Sequence, residues 1–256
     1  MSVDAHQMTG SLEDYLESIY RILAGESVAR VGDIAEDMGV SPASVSPAMK
    51  RLADMGLVRY SKRRYVELTP AGEETARKTL VRHNILTRFL GDVLGMDVEL
   101  AERDACAMEH FLSDEALMGF AALFESTASC PAFSDLVQGR LQLSDLPPAV
   151  QDDPSAPVIR CPLLRCEGTE PATALEVLSE QPPGTRCLVG RIHADSDARA
   201  KLVDLGFIQG AVVVLVRPGA RGLPCVIELD GHDLEVDREM ASSVLVSPAP
   251  CGEDTE

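Results

Sequence analysis

The densest run of chemically able side chains is Cys106-Ala107-Met108-Glu109-His110. On a helix, positions i, i+3 and i+4 share one face. Cys106, Glu109 and His110 would then present a thiolate, a carboxylate and an imidazole about one turn apart. These are transition-metal donors, and a thiolate especially favours the softer divalent ions. Alone, the run also reads as a small buried cysteine beside a solvated Glu–His pair. Two further fragments favour a site: His83 lies on the preceding helical stretch, and Asp14 and Glu17 lie on the first one, again at i, i+3. Three helices could bring these six donors together.

The elements that must position them follow from periodicity. Residues 11–24 carry Leu12, Tyr15, Leu16, Ile19, Tyr20 and Leu23 at helical spacing, with Ser11 as expected N-cap and Asp14 at the capping-box position. A short helix over 31–38 is followed by Gly39-Val40-Ser41-Pro42, a tight turn in which Ser41 caps and Pro42 is the first helical residue. A third helix runs to about Met55, and Gly56 stops it. Helix, glycine turn, helix is the helix-turn-helix pattern. Two short strands, 57–60 and 65–68, then flank the cationic tip Lys62-Arg63-Arg64 and read as a wing. Thr69-Pro70 opens a long helix to about Leu94, and two more are expected near 100–112 and 114–125. Phe111, Leu112, Leu117, Met118, Phe120, Leu123 and Phe124 exceed what one small bundle buries, which points to a homodimer face.

Beyond residue 126 the character changes. Residues 127–172 hold seven of the 16 prolines and only short apolar runs, as a linker does. Cys161 and Cys166, inside it, match no common zinc module and read as ordinary cysteines. From Ala174 the period becomes two, with strands expected at 186–192, 211–217, 224–229, 232–236 and 243–246 and a helix at 198–205. Five short strands in so little chain suggest a small closed barrel. The fold class is thus mainly α in the N-terminal half, a winged helix-turn-helix plus a helical dimerisation domain, with a small all-β SH3-like barrel behind it. The expected domains are 1–70, 71–126, a linker 127–172, the barrel at 173–247 and an acidic tail 248–256.

Charge distribution is more informative than its sum. The net charge is −18, yet residues 1–80 hold 10 Lys+Arg against 12 Asp+Glu, so almost all the excess lies further along. Residues 50–64 contain Lys50, Arg51, Arg59, Lys62, Arg63 and Arg64 against one acid, Asp54. That local basic stripe is the footprint of a small face for double-stranded DNA. Trp is absent and aromatics are 4%, which disfavours base-stacking or sugar-stacking platforms. No stretch approaches the roughly 18 apolar residues that cross a bilayer, and the start MSVDAHQMTG has no signal-peptide character. Seven irregularly spaced cysteines argue against a disulfide framework. The expectation is a cytoplasmic protein without a membrane partner.

Several motifs in order carry a family resemblance: Glu13-Asp14-Tyr15-Leu16-Glu17-Ser18-Ile19-Tyr20, Val31-Gly32-Asp33-Ile34-Ala35, Gly39-Val40-Ser41-Pro42-Ala43-Ser44-Val45-Ser46, Leu68-Thr69-Pro70-Ala71-Gly72 and Cys106-Ala107-Met108-Glu109-His110. Over its first 126 residues the chain resembles the diphtheria-toxin-repressor family of metal-dependent transcriptional regulators. Residues 174–247 resemble the FeoA-like, SH3-type domain through Pro183-Gly184 and the run from Lys201 to Gly210. The resemblance implies a metal-activated DNA-binding repressor, with Asp14, Glu17, His83, Cys106, Glu109 and His110 as ligands.

Asp14 and Glu17 match the manganese-responsive members, Cys106 matches the iron-responsive ones, and His83, Glu109 and His110 match both. Thr87 and Glu102 depart from the ancillary site of the iron branch, replacing a carboxylate and a histidine. The set is a hybrid. A thiolate favours Fe2+ over Mn2+, and the FeoA-like domain recurs in ferrous-iron handling, so Fe2+ is favoured with Mn2+ second. DNA contacts are expected from Ser41, Pro42, Ala43, Ser44, Ser46, Lys50, Lys62, Arg63 and Arg64. Pro47 falls where relatives have a base-reaching polar residue, and inside a helix it would cost roughly 3 kcal/mol. One escape is that Ser46 caps and Pro47 starts the helix.

Two rivals compete. Cys106-x-x-Glu109-His110 is similar to the inverted zinc-peptidase motif, but Cys106 replaces its first histidine and a helix-turn-helix lies upstream, so an enzyme is not expected. A winged-helix regulator of an organic ligand would leave six donors on three helices as coincidence.

Overall fold

The computed structural model describes residues 9–61, 65–128, 138, 175–220 and 223–249. It forms two compact units, Met1–Arg82 with Val177–Glu256, and His83–Glu176. The Lys62-Arg63-Arg64 tip, Cys161, Cys166 and nearly all of the expected linker lie outside the described residues. Among the described residues, no helix is long and apolar enough to cross a membrane.

The first unit begins with α1 (Gly10–Gly25). Ser11 is not its cap: Thr9 holds that position without a side-chain bond, and its carbonyl accepts from Leu12 and Glu13. Asp14 therefore lies well inside the helix and has no capping role. β1 (Ala29–Arg30), α2 (Val31–Asp37) and α3 (Pro42–Asp54) follow. Gly39 takes φ +63° so that Val40 N–H can close α2 onto the Ala35 carbonyl. Ser41 caps α3 by accepting from Ser44 N–H at 3.3 Å.

That cap also settles Pro47. It sits inside a continuous α3, so Ser46 is not an N-cap and the expected escape does not occur. Pro47 cannot donate to the carbonyl one turn back, but its ring is exposed to solvent, and the Ser46 hydroxyl bonds the Pro42 carbonyl at 3.4 Å. Pro47 lies past the first turn of α3, so it forgoes the bond that a donor there would make to the Ala43 carbonyl.

The wing has three strands where two were expected: β1, β2 (Val58–Tyr60) and β3 (Tyr65–Leu68), antiparallel in the order β1-β3-β2. A two-residue strand is too short to leave a period in the sequence. Thr69 then locks the wing to α4 (Pro70–Arg88). Its hydroxyl reaches the Gly56 carbonyl at 2.7 Å and the Leu57 carbonyl at 3.1 Å, and its oxygen accepts from Gly72 N–H. A Cβ at Gly72 would run into the Leu57 carbonyl, which explains the glycine. Leu16, Ile19, Ile34, Val45, Met49, Leu52 and Val66 form the fully buried centre of this core.

The same unit contains the β-rich C-terminal part: β4 (Glu176–Val177), β5 (Arg186–Ile192), α7 (Ser196–Asp204), β6 (Val212–Arg217), β7 (Cys225–Leu229), β8 (His232–Val236), α8 (Arg238–Ser242) and β9 (Val244–Pro248). These strands make one six-stranded sheet in the order β4-β9-β5-β6-β7-β8. Register shifts between Val189 and Arg191 and between Leu215 and Arg217 coil it, as bulges do. The expected closed barrel is corrected here: β4 and β8 remain the two edges, so closure is incomplete while the SH3-like layout stands. Phe207, Leu178, Leu202, Val213, Leu215 and Ile227 fill its interior with essentially no exposure.

The second unit takes the end of α4, a π-helical turn (Phe89–Val93), α5 (Val98–Glu109) and α6 (Asp114–Ala128). One unbroken helix to Leu94 was expected; the last turn instead widens, burying Phe89, Leu90 and Val93 together. Phe89 meets Phe120 edge-on with centroids 4.7 Å apart. Phe111 is 89% exposed and Val98 67%, a large apolar exposure for a helical unit.

Candidate metal centre and DNA interface

The second unit assembles three of the expected donors. Glu109, in the last turn of α5, is buried to 1% exposure. A buried carboxylate is costly unless paired, and here α4 supplies the partner: His83 Nδ1 donates to Glu109 Oε2 at 3.0 Å. His110 follows at the C-cap of α5, with Nε2 3.4 Å from Glu109 Oε1. The carboxylate thus lies between two imidazoles, in a cluster nearly closed to solvent. Cys106 precedes Glu109 by one turn but is exposed. The i, i+3, i+4 spacing put the three on one side of α5; it could not tell that burial grades from Cys106 down to Glu109.

In the first unit, Asp14 and Glu17 share one face of α1, as spacing required. Asp14 is half-buried and Glu17 is 5% exposed. Arg21, one turn on, lies 3.8 Å from Glu17 and 3.2 Å from Asp37, so a single exposed guanidinium ties α1 to α2. The donors in each unit suit a divalent cation: oxygen and imidazole nitrogen predominate, with one sulfur. Thr87, which the sequence marks as a departure, places a buried hydroxyl here in place of a carboxylate, and that hydroxyl has no hydrogen-bond partner among the described residues.

Most of the residues expected to contact DNA from α3 lie on its exposed side. Ser41, Pro42, Ala43, Ser44, Pro47 and Lys50 are all exposed, while Val45, Ala48, Met49 and Leu52 face the core. Ala43, Pro47 and Lys50 are one stripe at i, i+4 and i+7. Ser46 turns partly inward, accepting from the Tyr60 hydroxyl at 3.4 Å, which ties the helix to the wing and takes this residue away from the exposed stripe. The expected contact set omitted Arg30 and Arg51. Both are exposed, and Arg30 lies 5.8 Å over the Tyr65 ring on the wing sheet. The signal for Arg30 was absent because it depends on β1.

Comparison with known proteins gives three consecutive family matches. Residues 7–66 match the iron dependent repressor N-terminal DNA binding domain, residues 69–134 its metal binding and dimerisation domain, and residues 177–248 the FeoA domain. The chain is 40% identical over 105 residues to the HTH-type transcriptional regulator MntR of Lysinibacillus sphaericus, covering 41% of this chain and 75% of that protein. It is 41% identical over 111 residues to the transcriptional regulator MntR of Salmonella typhimurium, covering 43% and 70% respectively. The crystal structure of IdeR from T. acidophilum aligns over 93% of this chain and 97% of its own, at 20% identity and a TM-score of 0.42.

Proposed function

Since this chain belongs to the diphtheria-toxin-repressor family of metal-dependent transcriptional regulators, with a C-terminal FeoA domain, we propose that Asp14, Glu17, His83, Cys106, Glu109 and His110 hold its activating divalent cation. The protein is a metal-dependent transcriptional repressor, not an enzyme. The observation that carries the ligand assignment is the buried Glu109 carboxylate between His83 and His110. Its donor chemistry fits a transition-metal ion, with Cys106 as the soft member and Asp14 with Glu17 as the hard ones.

The donors are divided between the DNA-binding half and the helical unit. Without a cation their carboxylates repel one another, and a thiolate at Cys106 adds to this. A divalent ion removes the repulsion and clamps α1 to the helical unit, turning binding energy into a conformational preference. In a homodimer joined through the apolar surface around Phe111, that clamp sets the separation of the two α3 helices. They must match successive major grooves of the operator, about 34 Å apart. Ser41, Pro42, Ala43 and Ser44 read the groove with DNA shape, Ser46 braces the helix against the wing, and Lys50, Lys62, Arg63 and Arg64 hold phosphates in this reading, and the protein works in the cytoplasm.

Cys106 favours Fe2+ over Mn2+. The manganese reading rests on the Asp14–Glu17 pair and keeps Cys106, exposed as it is, outside the ligand set. Anaerobic titration of DNA binding against a genomic fragment library with Fe2+, Mn2+, Zn2+ and Co2+ tests both. Activation by Fe2+ at the lowest free concentration is expected. Binding that ignores every metal would refute the proposal.

A further inference from the structure

The FeoA-like part meets the winged helix along a seam that the metal mechanism leaves unused. At the tip of the β7–β8 hairpin, Asp230 and Gly231 take φ +51° and +78°, the two-residue turn that tightly joins antiparallel strands. The turn delivers His232 onto α1. Its ring stacks on Tyr20 with centroids 3.7 Å apart and planes 18° from parallel, and its Nε2 donates to the Tyr20 carbonyl at 3.0 Å.

Two more points fasten the same seam. A Cβ on Gly231 would stand 2.9 Å from the Ala24 methyl, so the hairpin passes α1 at a distance only glycine allows. After α7, Gly206 passes close to Val81 of α4, and the Arg77 guanidinium reaches the Asp204 carbonyl at 3.4 Å. Both helices are therefore gripped, and one of them carries Asp14 and Glu17.

We propose that the Asp230–His232 hairpin is a clasp that holds α1 in cis, and that this hold sets the metal concentration at which the repressor switches. The second half rests on the ligand assignment above; the first does not. An α1 that is already held loses less freedom when a cation closes on its carboxylates, so the clasp lowers the metal requirement.

The clasp is also sensitive to acid. His232 is half-buried, and burial lowers its pKa from the ordinary value; the Tyr20 carbonyl, Glu73 of α4 and Asp230 of the hairpin oppose that without reversing it. The charged groups that face the stack are thus Glu73 and Arg77 from α4 and Asp230 from the hairpin, while Tyr20 on α1 is held neutral, pushed up to about 12 mainly by burial. A docked histidine with a lowered pKa binds protons less readily than an undocked one. The docking is at full strength above the ordinary value of 6.5 and weakens as pH falls below it.

The test uses the full chain and leaves the buried Tyr20 untouched. Amide exchange of α1 is followed in the metal-free wild type, in His232→Ala and in His232→Phe, at pH 7.5 and 5.5, alongside the Mn2+ and Fe2+ midpoints for DNA binding. H232A is expected to exchange faster along residues 20–25 and to need about fivefold more metal or beyond. H232F keeps a ring for the stack, so it should fall between the two and lose the pH 5.5 loosening, once intrinsic exchange is corrected for. Wild-type exchange in H232A overturns the clasp, and faster exchange with an unmoved midpoint overturns its link to metal. A wild-type chain that ignores both metals counts against the ligand assignment instead, and the exchange data then decide the clasp alone.

Discussion

The donors on α5 and those on α1 belong to the same proposed centre but are held in different ways. Glu109 has almost no exposure and sits between two imidazoles, one of them hydrogen-bonded to it at 3.0 Å. Glu17 is nearly as buried, and on its own helix it faces an exposed arginine at 3.8 Å that also serves Asp37. An exposed ion pair of that length contributes little. The difference teaches which part of the proposed centre is fixed: the imidazole–carboxylate cluster is held by a hydrogen bond inside the helical unit, whereas the ion pairs that Arg21 makes from α1 are exposed.

Removing the fixed part should have the largest effect. Glu109→Gln or His110→Ala is expected to abolish metal-activated DNA binding and to weaken metal affinity by more than about 100-fold, beyond the loss typical of an outer-shell partner. Calorimetry with Mn2+, and circular dichroism to confirm the fold, check this. A normal metal response in either variant would show that the cluster is structural. Next in size is Cys106→Glu, which makes the set all-hard apart from imidazole and should move activation from Fe2+ towards Mn2+. Selectivity that stays put would make the exposed Cys106 a bystander and leave Glu109 and His110 as the only donors of α5.

Much of this contrast was legible in the residues. The i, i+3 and i, i+4 spacings placed Asp14 with Glu17, and Cys106 with Glu109 and His110, on common faces, and the helix-turn-helix showed in Gly39, Ser41 and Pro42. The β-rich half showed through its period of two, as at His232–Val236. What did not show depended on distant partners or on elements too short to have a period. Two-residue β1, which brings Arg30 to the wing, is one case. The edges of the β4–β8 sheet are another, since strand order is set by pairing across the chain. For Pro47 the residues left two placements open, inside α3 or first behind a Ser46 cap, and propensity alone does not choose between them; the helix runs through it. The Tyr20–His232 stack joins residues more than 200 positions apart and has no local signature at all.

Two smaller predictions concern the DNA side. Arg63→Ala with Arg64→Ala should weaken binding to all sequences alike and flatten the dependence of log K on log salt. The change is about two units in a dimer if one arginine per wing touches phosphate, and up to about four if both do. Metal affinity without DNA should not move, which separates the wing from both donor groups. A wild-type slope would make the tip a solvated turn. Pro47→Ala restores a donor inside α3 and should raise stability by on the order of 1–3 kcal/mol, read as a higher Tm in the metal-free chain. A lower Tm would mean that the proline ring is favourably packed, contrary to its exposure.

The central claim is that one cation is shared by donors from both regions, and metal titration of Glu17→Gln and Glu109→Gln, singly and together and without DNA, tests it most directly. A shared site predicts that each single variant weakens the same binding event, and that no event of wild-type affinity survives in either. If Glu17→Gln leaves one event at full affinity while Glu109→Gln leaves another, the two regions bind metal separately and the clamp does not exist.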